Sequence, residues 1–329
     1  MRLRLFWPVL LLCAAAPAAR ALVEHQVVKK FTPPTTGAVL LVDTFSGAIT
    51  VTESDGDSVE VIVTEQCDEP DEAAAAAKFA NLDLVLAQDR AGGVSMTATY
   101  RRKVTFTWEK WPPVVLAFVI KVPRRCDVDL RSQDGDITVG KLRGAIKATN
   151  ETGKIFIGET EGAVTVRSRA GEIGITAGTG RLDVTTLTGN ISIGRAPGGA
   201  RLASDGGDIE VQQAGGDFRV DGNGSHVKVR FTHPLAHPAE VVTSGGSIIA
   251  IFDQRTAASV AATASVLNKV TVRGLVSAGV PDGETRTRLT AKLNGGGPVV
   301  TLRAGGGQVL MRGEPPTLAA DTVKAEGVK

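Results

Sequence analysis

The sequence predicts an all-β fold: a single-chain parallel β-solenoid with about 18 residues per coil, each coil made of two nine-residue strand–turn units. A β-rich cap with one short helix should precede it. Three observations predict this. Glycine recurs every ninth residue without a miss, at Gly135, Gly144, Gly153, Gly162, Gly171, Gly180, Gly189, Gly198, Gly207 and Gly216. The second and fourth positions after each glycine are mostly apolar, as in Ile137/Val139, Val164/Val166, Ile173/Ile175 and Leu182/Val184. The residue between them, such as Thr138, Lys147, Asp183 or Arg219, is mostly polar.

Two inward residues spaced by two define a strand with one buried face. Nine residues hold a strand of about five and a turn of about four. A glycine at a fixed place in every turn suits either a positive φ or a close approach of neighbouring backbones. Stacked coils then make two parallel sheets about 10 Å apart, with rungs about 4.8 Å apart. One coil buries four apolar side chains, worth about 6–12 kcal/mol gross. Fixing 18 backbones costs about 1–2 kcal/mol each. Stability must therefore be collective, and both ends need caps.

Residues 1–21 read as a secretory signal peptide. Arg2 and Arg4 are basic, Leu5 to Ala16 is apolar and short, and Ala19-Arg20-Ala21 is a small-x-small cleavage site, with Leu22 the first mature residue. Export to the periplasm, the cell surface or the medium follows.

Residues 22–125 hold the first coils and the cap. Leu40/Val42 and Ile49/Val51 are nine apart, with Gly47 at the turn and Val59/Val61 following. Asp68 to Glu72, then Ala73 to Ala77, give a helix start and good helix formers, so a short helix is expected near 71–81. Leu82–Leu86, Val94–Tyr100, Val104–Trp108 and Val114–Val122 read as strands, expected to pack antiparallel on one end of the solenoid. Residues 126–231 are the regular ladder. Residues 232–313 are irregular coils of the same solenoid. There His233-Pro234-Leu235-Ala236-His237-Pro238 shifts the register by three, and Pro298 to Met311 is expected to form the last coil. Residues 314–329, polar with Pro315-Pro316, are expected to be a disordered tail.

Phe118-Val119-Ile120-Lys121-Val122-Pro123, Gly135-Asp136-Ile137-Thr138-Val139 and the repeated Thr/Ser-x-x-Gly-x-Ile turns resemble the bacterial putative-adhesin domain family. The resemblance covers about 36–312. It implies an exported or membrane-anchored parallel β-solenoid of unknown function. It brings no catalytic set onto residues here.

The chemistry is sparse. Removal of the leader takes away three arginines, leaving 34 basic and 35 acidic residues. With no Lys/Arg block, nucleic acid or anionic membrane is not expected as the main partner, and no mature stretch is long enough to span a bilayer. Cys67 and Cys126 either form a disulfide or stay as two buried thiols. Calcium roll sites need Gly-Gly-x-Gly-x-Asp; here the glycine is followed by Asp136, Lys154, Glu172, Asn190 and Asp208, and only Asp205, Asp208, Asp217 and Asp221 cluster. His233 and His237 sit four apart among prolines, which excludes a helical metal pair. The outward rows, Thr138, Phe156, Gly174, Ser192, Glu210, Lys228 and Lys147, Thr165, Asp183, Arg201, Arg219, show no paired acids, and Asp183 beside Arg201 reads as a cross-rung pair. Tyr100, Phe106, Trp108 and Trp111 form an aromatic patch, read as cap core or as a partner site. No catalytic, cofactor or metal residue is expected. The expectation is a non-enzymatic cell-envelope or secreted binding scaffold with an unknown protein or glycan ligand. Alternatives are a signalling or envelope-stress accessory that binds a membrane protein, and a carbohydrate-active enzyme.

Overall fold

The computed structural model describes residues 22–33, 37–69, 71–101, 111–285 and 287–314. The leader, the strand expected at 104–108 and the tail beyond 314 lie outside the described residues. Among the described residues, two long sheets of 14 and 13 strands face each other.

The chain opens with β1 (Val23–Phe31), β2 (Ala38–Thr44), β3 (Ala48–Ser54) and β4 (Val59–Cys67). Helix α1 (Glu72–Phe79) follows. It starts because the Asp71 carboxylate accepts the free Ala74 N–H at 2.8 Å. It ends two residues before the expected 81, where the Asn81 N–H closes on the Lys78 carbonyl. Then come β5 (Leu82–Gln88), β6 (Val94–Tyr100) and β7 (Val115–Pro123).

The ladder runs from β8 (Cys126–Asp134) and β9 (Ile137–Val139) through β10 (Ile146–Thr152), β11 (Ile155–Thr160), β12 (Val164–Ala170) and β13 (Ile173–Gly178). It continues with β14 (Leu182–Thr188), β15 (Ile191–Ala196), β16 (Ala200–Ser204), β17 (Ile209–Ala214), β18 (Phe218–Gly222) and β19 (Val227–Phe231). Odd-numbered ladder strands lie in the 14-stranded first sheet and even-numbered ones in the 13-stranded second sheet. Pairing is parallel, and partners stand 18 residues apart, as in Ile146↔Val164 and Ile155↔Ile173. The inward pairs are the core: Ile137, Val139, Ile157, Leu182 and Val184 are fully buried.

The two corners of each coil use glycine for different reasons. Gly171 has φ +117, a conformation that strains any side chain, and a Cβ there would overlap the Gly153 carbonyl below. Gly162, at the opposite corner, has no such φ, yet a Cβ would overlap the Gly144 carbonyl. Three residues before the first kind of corner stands a buried hydroxyl. Ser168 and Thr186 donate to the carbonyls of Ala170 and Thr188 at 3.1 and 3.2 Å. That is the physical content of the Thr/Ser-x-x-Gly spacing: the buried hydroxyl donates to the corner carbonyl two residues on, which at Ser204 also accepts the Gly189 N–H of the neighbouring rung.

The C-terminal part adds β20 (Ala239–Thr243), β21 (Ile248–Asp253), β22 (Ala258–Thr263), β23 (Val270–Arg273), β24 (Gly283–Thr285), β25 (Arg288–Leu293), β26 (Val299–Ala304) and β27 (Val309–Glu314). The His-Pro segment is a loop, and the pairing across it becomes Phe218↔Ala239 and Val227↔Ile248, three residues longer than elsewhere.

Both ends depart from chain order. β2–β3 is a complete rung against β8–β9, through Leu40↔Val128 and Ile49↔Ile137. β6 and β7 form a further parallel rung outside it. The expectation that this excursion is antiparallel holds for β5; β6 and β7 pair antiparallel on their outer side, with β5 and β4, and parallel on their inner side, with β2 and β3. Val59/Val61, read as continuing the coils, lies instead in the antiparallel β4. Apolar alternation says which face is buried and nothing about strand direction. At the other end β26–β27 sits between β20–β21 and β22–β23, so Pro298 to Met311 is an internal rung and not the last coil. The inward pairs of those rungs are interchangeable in pattern, so their order is invisible to it. Antiparallel strands finish each end: β1 and β4 on β7, β5 on β6, β24 on β23 and β25 on β22. They end the parallel stack that would otherwise template further chains.

Candidate ligand-binding face

The outward rows run as the spacing requires: Thr138–Phe156–Gly174–Ser192–Glu210–Lys228 on the first sheet and Lys147–Thr165–Asp183–Arg201–Arg219 on the second. Rung order then extends the second row to Glu240, Thr301, Ala261 and Thr290. The neighbouring row ends Val242–Arg303–Thr263–Arg288. β26, entering the stack next to β20, places Arg303 two strands from Arg219 in this order, and Arg288 on β25 stands two strands farther out. Sequence reasoning missed them, because chain order separates them.

Two open depressions mark this part of the face. One, of about 460 Å³, is lined by Arg181, Arg201, Asp217, Arg219, Glu240 and Thr301 among others. The second, of about 510 Å³, is lined by Thr263, Val266, Arg288, Thr290, Thr301 and Arg303 among others. They meet at Thr301. Arg181 pairs with Asp217 at 3.5 Å and Arg219 with Glu240 at 3.3 Å. Arg201, Arg288 and Arg303 have no carboxylate in ion-pair reach among the described residues. The expected pair of Asp183 with Arg201 is therefore not formed. Register brings their backbones side by side, but no ion pair links their side chains; Arg219, the next residue of the row, pairs with Glu240 on its other side.

The first sheet differs. Its outward charges are largely neutralised across rungs: Lys228 with Glu210 at 2.9 Å, Arg195 with Glu159 at 3.0 Å and Lys141 with Glu159 at 3.3 Å. In the N-terminal half of the second sheet Arg131 and Lys147 pair with Asp129 at 2.8 and 3.0 Å, while Arg167 and Arg169 on β12 have no carboxylate in ion-pair reach among the described residues. Burial raises the Asp129 carboxyl, but the hydrogen bonds from Arg131 and Lys147 outweigh it and hold it below its ordinary range.

The aromatic patch is part of a smaller cluster. Tyr100 and Trp111 pack edge to face with centroids 5.5 Å apart, and Phe45 stands 6.1 and 6.3 Å from them. Trp111 is 51% exposed. Phe106 and Trp108 lie outside the described residues. Phe45 was not anticipated; its place in the turn just before Gly47 was the available signal.

The cysteines are free and buried. Cys67 ends β4 in the first sheet, with its Sγ on the Pro113 carbonyl at 3.4 Å, whereas Cys126 opens β8 in the second sheet. Strands of opposite sheets hold the two thiols, which are unbonded to each other in the structure. Burial pushes the Cys126 thiol up to about 12 and also raises Cys67.

Among the described residues no three His, Cys, Asp or Glu side chains gather as a metal site. Asp205 and Asp208 flank Gly207 at one corner, where Asp208 accepts the His226 N–H at 3.2 Å, while Asp217 lies in the opposite corner against Arg181. No helix among the described residues is long and apolar enough to cross a membrane.

No family model matches the chain, and no curated protein matches it. It is similar to three solved structures, among others. A putative adhesin from Bacteroides fragilis NCTC 9343 has 10% identity and a TM-score of 0.33, covering 88% of this chain and 97% of the other. A putative lipid binding protein from Parabacteroides distasonis ATCC 8503 has 11% identity and a TM-score of 0.38, covering 87% and 96%. A putative adhesin from that same strain has 12% identity and a TM-score of 0.34, covering 70% and 97%. The adhesin names are those of the family that the turn motifs resemble. At such scores the backbones do not superpose as wholes, and nothing about a ligand follows from them.

Proposed function

We propose that the protein is an exported, non-catalytic binding scaffold of the cell envelope or extracellular space, of the adhesin type, with a glycan or protein ligand. The observation that carries this is the open, two-part groove across the second sheet, built on rungs whose register and buried core hold the strands beneath it in place. Ligand sites on rigid strands lose little order on binding. The test is capture on glycan and protein arrays, comparing the protein with Thr301→Trp, which fills the junction of the two depressions, and Thr165→Trp, elsewhere on the same face. Capture lost only with Thr301→Trp supports the reading. A hydrolytic activity abolished by one carboxylate substitution would overturn it.

A second reading has its own observation. The half-exposed Trp111, packed on Tyr100 and Phe45, suits docking of a membrane protein by a signalling or stress-response accessory. Alanine at Trp108 and Trp111 should then abolish partner capture while leaving the melting temperature unchanged.

A further inference from the structure

We propose that the groove on the second sheet binds a linear acidic polysaccharide, laid along the solenoid axis with its carboxylates on Arg201, Arg303 and Arg288. This rests on the scaffold reading above and names its ligand class. The argument begins with unmet charge. Arg201, Arg303 and Arg288 line or border the groove and face solvent without a carboxylate partner among the described residues. Arg167 and Arg169 on β12 are exposed and without such a partner too, but lie outside both depressions. Guanidinium meets carboxylate through two parallel hydrogen bonds, a geometry that an exposed arginine on a strand can offer.

Extent selects a polymer. From β16 to β25 the groove crosses six strands in the order β16, β18, β20, β26, β22, β25, a span of about 24 Å at the usual strand spacing. Arg303 and Arg288 are two strands apart in one row, about 10 Å. A single small anion cannot reach all three. The lining between the arginines supplies hydroxyls, from Thr301, Thr263 and Thr290, which both donate and accept as sugar hydroxyls require. The named lining of the second depression holds no aromatic ring on which bases could stack, and the first holds only Phe218, which is buried. Those features favour an acidic glycan over a single-stranded nucleic acid, and the duplex-DNA arm of the experiment tests phosphate contacts alone. The charges are exposed, so binding should weaken as salt rises.

The experiment is titration calorimetry of the whole protein with polygalacturonate, against neutral dextran, poly-glutamate and duplex DNA. Polygalacturonate is expected to bind and dextran not. The triple variant Arg201→Gln/Arg288→Gln/Arg303→Gln should weaken binding at least about tenfold. Arg195→Gln, which removes a guanidinium already engaged by Glu159, should leave it unchanged. All four substitutions are on exposed side chains, and matching thermal melts verify folding. Unchanged binding by the triple variant, equal binding of poly-glutamate or DNA, or no polygalacturonate binding would each overturn the inference. If a neutral glycan or a protein is captured in a Thr301-dependent way while polygalacturonate is not, the ligand class falls and the scaffold reading survives.

Discussion

Gly171 and Gly162 exclude side chains by different means, and substitution separates the two. At Gly171 a positive φ adds to the overlap with Gly153, so Gly171→Val should cost about 3 kcal/mol or more. Gly162→Ala meets only overlap and should cost about 1–3 kcal/mol. Thr165→Val, on the water side of β12, should stay within about 0.5 kcal/mol of the parent. Denaturant melts give all three; equal midpoints would mean that the glycines are not corner positions. The cysteines make a second test at this scale. The native mature protein at pH 8 should resist iodoacetamide, and the unfolded protein should show two thiols without reductant, since both are free, buried and raised. Finding none would mean a disulfide. The sign of the pH effect follows from Cys126. Its folded value lies above the 9.0 of an exposed thiol, so its share of stability is whole below about pH 9 and is lost as pH climbs toward about 12. These effects were partly legible beforehand. The glycine spacing named the positions, but which corner needs the positive φ depends on backbone geometry that spacing does not carry.

At the scale of elements, the strands of 126–231 could be read because each depends only on its own nine residues: two inward apolar side chains, a polar one between, and a glycine. The hydroxyl before the corner was visible as a motif, and its use, donating to the carbonyl two residues on, needed coordinates. Ser168→Ala should therefore cost about 1 kcal/mol, read as a lowered unfolding midpoint. The capping strands were visible as strands and not as a device. β1 covers β4, whose Val59, Val61 and Val63 are buried. Its own outer edge carries Glu24, His25, Lys29 and Lys30, charges that discourage further pairing. Deleting residues 23–31 should turn a well-behaved species into concentration-dependent oligomers on size-exclusion chromatography. An unchanged elution volume would show that β1 does not protect the stack.

For the whole molecule, the order in which rungs stack decides where the candidate site lies. Arg201 and Arg219 were legible as outward residues of one row. Arg303 and Arg288 were not placed on the same face as a continuation of it, because β26 enters between β20 and β22 and β25 pairs back on β22, and no local pattern encodes either step. The arginine face, its two joined depressions and the proposed ligand all depend on this order. Spin labels at Thr165 paired with Thr301, and at Thr165 paired with Ala261, measure it through their dipolar coupling. Thr301 lies five strands from Thr165 along one row, about 24 Å, and Ala261 six, about 29 Å. The account predicts the shorter distance for Thr301, although it is the farther in sequence. A shorter distance for Ala261 would mean that the rungs follow chain order and that the groove, as described, does not exist.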